Sequence, residues 1–124
     1  ELGIKMIAYS PLGLGLLTGK YNVKGPFPKG IRGLLFRQLL PGIQPLLNCL
    51  NAIAQARQKT MAQVALNWCM SQGTIPIPGA KTVQQTQDNL GALGWSLTVG
   101  EQDELTVAAK RSPKRMVQNI FQTR

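Results

Sequence analysis

Two kinds of apolar pattern alternate along the chain. Residues 4–9 (IKMIAY) form a short, mostly apolar run between Gly3 and Pro11, which predicts a strand buried on both faces of a parallel sheet. Residues 74–78 (TIPIP) are a second such run, brief enough to tolerate its prolines. Between them, Leu46, Leu50, Ile53, Ala54 and the stem of Arg57 recur at helical spacing, predicting an amphipathic helix over 43–59. Thr60 with Gln63 makes a capping box that opens a helix over 61–72, closed by Gly73. Val64, Ala65, Trp68 and Cys69 form its expected buried side. The Thr-x-x-Gln pair recurs at Thr82 and Gln85, predicting a helix to about Leu93 that Gly94 ends. Thr98 with Glu101 opens a last helix over 99–111, followed by a basic tail over 112–124. Residues 10–42 carry Gly13, Gly15, Gly19, Gly25, Gly30 and Gly33 and four prolines, at positions 11, 26, 28 and 41. They read as one long loop, a length uncommon in a compact domain unless the loop binds something.

The order strand, long loop, two helices, strand, helix, helix predicts an α/β fold with a parallel sheet and right-handed crossovers. Two strands do not make a stable sheet alone, so a larger α/β fold or another chain is expected to complete it. A length of 124 residues suits one domain. Only 15% of residues are charged, low for a free-standing domain and a hint that part of the surface is covered. The net charge is +9, and between Leu2 and Gln87 nine Lys or Arg face no Asp or Glu. That imbalance favours anionic partners, unless acidic residues of a larger chain offset it. Cys49 and Cys69 lack CxxC spacing and read as buried thiols in a reducing compartment. With no histidine, His-based metal sites and His acid–base catalysis are excluded on this chain. No apolar run approaches the roughly 20 residues that cross a bilayer, so no membrane insertion is expected. The opening residues, ELGIKMIAYS, look like neither a signal nor a transit peptide and run directly into a strand.

Two segments carry candidate chemistry: AYSPLGLGLLTGKY over 8–21 and IPIPGAKTVQQTQDNLGALGW over 75–95. Each sets a glycine-containing turn and fresh backbone N–H groups beyond a parallel strand, where α/β folds bind ligands and helix N-termini attract phosphate. Lys20, Arg32 and Lys81 add positive charge. Taken alone, these features describe either a phosphate site or simple turns. Together, the two segments resemble strands seven and eight of the aldo-keto reductase (β/α)₈ barrel, and RGLLFRQLLPGIQPLL and TMAQVALNWCMSQG resemble its seventh loop and helix. The form IPGAKT is similar to plant plastid and bacterial members. The resemblance implies a partial TIM barrel, the last two strands with their helices. Residues 1–124 would be the C-terminal portion of a single barrel domain, located in the chloroplast or alternatively the cytoplasm.

The resemblance also implies roles. Tyr9 matches the aromatic that stacks on the nicotinamide ring. Ser10, Leu12, Gly13, Gly15 and Leu16 match the loop that wraps the pyrophosphate, and Lys20 and Arg32 match basic positions that clamp phosphates or adenosine. Gly79, Ala80 and Lys81 match the turn that receives the 2′-phosphate, and Gln85, Asp88 and Asn89 match helix positions contacting adenosine. Another branch of the family has arginine where Gln85 stands and lysine where Gly79 stands, so here the resemblance leaves the 2′-phosphate to Lys81 and the amide N–H groups at this helix start. The implied cofactor is NADP(H), and the implied activity is reduction of small-molecule aldehydes or ketones. The family's catalytic Asp, Tyr, Lys and His belong to earlier strands and have no counterpart here, so no catalytic residue is assigned to this chain. The alternative is a non-catalytic cofactor-binding regulatory or accessory subunit of a larger assembly, as in the potassium-channel β-subunit branch. A nucleic-acid-binding role has only charge in its favour: aromatics are 6% of residues, too few for stacking platforms, and no nucleic acid is expected as partner. Trp68, Trp95 and the methionines stand at helical or helix-end positions and read as core.

Overall fold

The computed structural model of the protein describes residues 2–113. Two strands, β1 (Ile7–Tyr9) and β2 (Ile75–Ile77), pair in parallel with Ile7 opposite Ile75, Ala8 opposite Pro76 and Tyr9 opposite Ile77. Four helices follow the pattern of the sequence: α1 (Ile31–Arg57), α2 (Met61–Ser71), α3 (Val83–Leu90) and α4 (Val99–Lys110). The arrangement is α/β, with parallel strands joined through helices as in part of a (β/α)₈ barrel. The basic tail read over 112–124 lies, from residue 114, outside the described residues.

Both strands are shorter than the apolar runs that contain them, and they are not buried on both faces. Ile7 is 59% exposed and Ile75 49%, because none of the helices here packs across those faces. The largest correction concerns α1. The glycines and prolines of 10–42 read as a single loop, yet the helix begins at Ile31 and runs through Pro41 and Pro45. Both prolines sit on the exposed side of α1, while Phe36, Leu39, Leu40, Ile43, Leu47, Leu50, Ile53 and Ala54 make one continuous buried stripe. Burial of that stripe outweighs the ~3 kcal/mol or more that an interior proline costs a helix. Gly33 is needed on the same helix, since a Cβ there would run into the carbonyl of Pro28. On the predicted buried faces, Leu47 rather than Leu46 is buried in α1, and Leu66 and Asn67 rather than Trp68 and Cys69 in α2.

The starts of α2, α3 and α4 were legible. Thr60 Oγ1 accepts from Gln63 N at 3.1 Å and Gln63 Oε1 accepts from Thr60 N at 3.0 Å, a complete capping box. Thr98 and Glu101 make another. At α3 only half of the box forms: Thr82 Oγ1 accepts from Gln85 N at 3.1 Å, but Gln85 Oε1 takes the N–H of Lys81 at 2.7 Å instead. The core lies between α1, α2 and α4 and includes Leu16, Leu97 and Leu105, with Trp68 and Trp95 packed against it as expected. Cys49 and Cys69 are free and half-buried; burial pushes both thiols above their ordinary pKa. Among the described residues, no helix is long and apolar enough to cross a membrane.

Candidate functional site

At the C-terminal ends of β1 and β2 the chain turns twice, and the two turns face each other. Ser10 leaves β1 with φ of 46°, a left-handed conformation that non-glycine residues rarely adopt. Its carbonyl accepts from Gly13 N at 2.9 Å. The chain then winds into 3₁₀ turns over Gly13–Thr18, kinked at Leu14 and Gly15. Thr18 Oγ1 closes this loop by donating to the Gly15 carbonyl at 2.6 Å, and Leu16 plugs its underside into the core. Beyond β2, residues 78–82 lead into α3, with Thr82 as its N-cap. Asn89 Nδ2 reaches back to the Gly79 carbonyl at 3.4 Å, tying the turn to its helix.

Between the two turns lies a cleft of about 670 Å³, a size typical of small-molecule sites. Ser10, Leu12 and Gly15 line one wall, and Gly79, Ala80, Lys81, Gln85, Asp88 and Asn89 the other. Arg32 enters from the first turn of α1, and Thr60 and Ala62 at the start of α2 form the floor. Ten of the fourteen residues expected at the site thus meet around one space. Tyr9, Gly13, Leu16 and Lys20 do not line it. The Tyr9 ring is 59% exposed at the end of β1, and Leu16 is core. Gly13 opens the 3₁₀ turns, and Lys20 Nζ lies 5.7 Å from the Tyr21 ring centre.

Arg32 is the most constrained charge at the site. Its Nη2 donates to the Tyr21 hydroxyl at 3.2 Å, and its guanidinium lies 5.7 Å from the Tyr21 ring centre and 5.4 Å from that of Phe36. Those rings meet edge to face at 5.1 Å. The Nε of Arg32 is buried without a partner among the described residues. A buried cationic donor left unpaired is costly unless an anion completes it. Across the cleft, Asp88 is engaged by its own helix, accepting from Gln84 Nε2 at 2.9 Å. A Cβ on Gly79 would meet nothing within 4 Å, so the second turn is open to a ligand. Tyr21, Thr60 and Ala62 were not foreseen as site residues. Thr60 carried a visible signal, since an N-cap marks a helix start, but only the fold shows that this start opens onto the cleft.

The sequence matches the model of the aldo/keto reductase family over residues 1–109. The chain belongs to this family. It is 64% identical over 124 residues to the chloroplastic pyridoxal reductase of Arabidopsis thaliana, which covers all of this chain and 34% of that protein. It is 36% identical over 108 residues to an aldo-keto reductase of Schizosaccharomyces pombe whose name specifies NADP(+), covering 79% of this chain and 31% of that one. Among solved structures, the glycerol dehydrogenase of Gluconobacter oxydans superposes with a TM-score of 0.75 at 27% identity, covering 96% of this chain and 38% of that one. The chain therefore spans about a third of the length of the relatives it matches. Aldo-keto reductases are oxidoreductases, and the (β/α)₈ reading of the two strands agrees with this structural match. Among the described residues, no group of three or more His, Cys, Asp or Glu is gathered where it could hold a metal ion.

Proposed function

We propose that this chain is the dinucleotide-binding part of an NADP(H)-dependent reductase of aldehydes or ketones. In this reading residues 1–124 form the C-terminal portion of one barrel domain, and the proton-donating groups come from other parts of that barrel. The observation that carries it is the cleft, where the turn beyond β2 brings Lys81 and the first turn of α1 brings Arg32 to one space of about 670 Å³. The loop at 10–18 supports a pyrophosphate through its backbone, with the Arg32 guanidinium as a charged donor. Lys81, Gly79 and Ala80 form the pocket for the 2′-phosphate; the Lys81 ammonium is outside the single ion pair among the described residues, Arg57 with Glu101. Gln85, Asp88 and Asn89 flank the adenosine, and Tyr9, exposed at the end of β1 outside the cleft, walls the nicotinamide. Gly13, Leu16 and Lys20 support the loop from outside the cleft.

Bound there, NADPH supplies the hydride that reduces a carbonyl carbon. This chain's share is to bind the dinucleotide and hold the nicotinamide where the strands end. The 64% identity to a pyridoxal reductase supports pyridoxal, an aromatic aldehyde, as the substrate, and that relative's chloroplastic name supports a plastid location. The test is titration of the full-length protein, with the rest of its barrel, against NADPH and NADH, followed by turnover with pyridoxal read from nicotinamide absorbance. Tight NADPH binding with pyridoxal-dependent oxidation supports the proposal. NADPH binding without turnover of any aldehyde or ketone favours the accessory-subunit reading, and failure to bind either dinucleotide refutes both.

A further inference from the structure

α3 is held differently from the other helices. α1, α2 and α4 each bury apolar side chains, whereas α3 buries none, and Val83 and Leu90 at its ends are 76% and 57% exposed. Yet α3 supplies Gln85, Asp88 and Asn89 to the cleft. One polar side chain of α2, Gln63, bonds to α3 itself, and a second one turn on, Asn67, bonds to the segment that follows α3. Gln63 Nε2 donates to the Asp88 carbonyl at 2.8 Å, while its Oε1 accepts the N–H of Thr60 on the cleft floor. Asn67, the buried polar residue of the core, donates through Nδ2 to the carbonyls of Ala92 at 3.0 Å and Trp95 at 2.9 Å. Its Oδ1 accepts from Leu97 N at 3.1 Å, so both ends of the amide are satisfied. The chain after α3 passes so close to α2 that a Cβ on Gly91 would collide with the Gln63 side chain.

We infer that Gln63 and Asn67 are positioning residues for the nucleotide cleft, latching α3 and the segment after it to α2 by hydrogen bonds. The functional half of this rests on the reading of the cleft given above; the latch itself does not. Along α3, where apolar burial is absent, the Gln63 bond is a large share of what resists local opening, whereas the segment after it is also anchored by buried Ala92 and Leu97. Gln63 also joins floor to wall: one amide caps α2 beneath the cleft and fixes Asp88 beside it. Neither residue touches the cleft, so both act through the elements they hold.

Gln63→Glu separates the two bonds in the full-length protein. A carboxylate still accepts from Thr60 N, and Glu is favoured at that position of a capping box, but it cannot donate to the Asp88 carbonyl. The unfolding midpoint should stay within about two degrees, while amide exchange over Val83–Leu90 accelerates about fivefold to tenfold. The Kd for NADPH should rise about threefold to tenfold with kcat unchanged, and the rise should survive high salt, which screens repulsion by the new charge. Gln63→Met, which adds no charge, should reproduce both effects and also lower the midpoint, because it loses the reciprocal half of the capping box, the acceptor for Thr60 N. If the parent binds NADPH and both variants keep its exchange and affinity, the inference is overturned. Faster exchange spread equally over all four helices also overturns it, since Gln63 would then be an ordinary stabilising contact. If the parent does not bind NADPH, the cofactor reading fails separately and exchange in the Glu variant alone judges the latch.

Discussion

Glu101→Gln perturbs the one ion pair among the described residues, removing the charge and one of the two acceptor oxygens that Arg57 meets. Arg57 ends α1, and Glu101 lies in the first turn of α4. Nε and Nη2 of the guanidinium meet the two carboxylate oxygens at 2.8 and 2.7 Å. Each charge also complements the dipole of its helix. The hydrogen bond from Arg57, aided by the Thr98 N–H and the Arg57 charge and opposed by burial, lowers the Glu101 pKa from 4.5 to about 2. At about 1.36 kcal/mol per pH unit, that gap sets a ceiling of about 3 kcal/mol. Because 34% and 19% of the two side chains remain in contact with water, screening reduces the expected contribution to about 1–2 kcal/mol. Gln preserves the acceptor for Thr98 N, so the variant removes charge rather than the cap. A depressed carboxylate pKa stabilises the fold above its unfolded value near 4.5, and the contribution is lost as pH falls from there through about 2. Urea unfolding of both forms at pH 7 should therefore differ by about 1–2 kcal/mol, and the difference should fall to less than half by about pH 3. A difference that is absent at pH 7, or constant across this range, refutes the reasoning.

Lys81→Ala should weaken NADPH by about 1.5–3 kcal/mol and leave NADH nearly unchanged, measured by titration; equal losses would remove Lys81 from the 2′-phosphate pocket. Tyr9→Phe should be nearly silent, because the ring carries the proposed contact. Tyr9→Ala should weaken NADPH by about 0.5–1.5 kcal/mol with little change in melting temperature, consistent with a ring 59% exposed; collapse of the fold with normal binding would make Tyr9 structural. Gly33→Ala should destabilise by about 1–3 kcal/mol in denaturant, since the new methyl meets the rigid Pro28 carbonyl, and a neutral result would show that α1 can start elsewhere.

Local chemistry alone determined much of this protein. The starts of α2, α3 and α4 follow from Thr60, Thr82 and Thr98, because an N-cap is satisfied within its own first turn and needs no tertiary partner. The two strands and the glycine-bearing turns beyond them were legible for the same reason: short apolar runs and turn residues act over a few positions. Most of the cleft followed from those turns, since Ser10, Gly15, Gly79 and Lys81 stand directly beyond the strand ends. The start of α1 was not legible. Gly33, Pro41 and Pro45 argue locally against a helix, and only the burial of Phe36, Leu39 and Leu40 against the rest of the core overrides them. Asn67 and Tyr21 were also invisible as organising residues. Asn67 bonds to partners 25 to 30 positions away, and Arg32 comes to Tyr21 across 11 positions to form the cleft's charged wall. Interactions that span such separations depend on how helices pack, and packing is decided by the folded chain as a whole rather than by any one stretch of it.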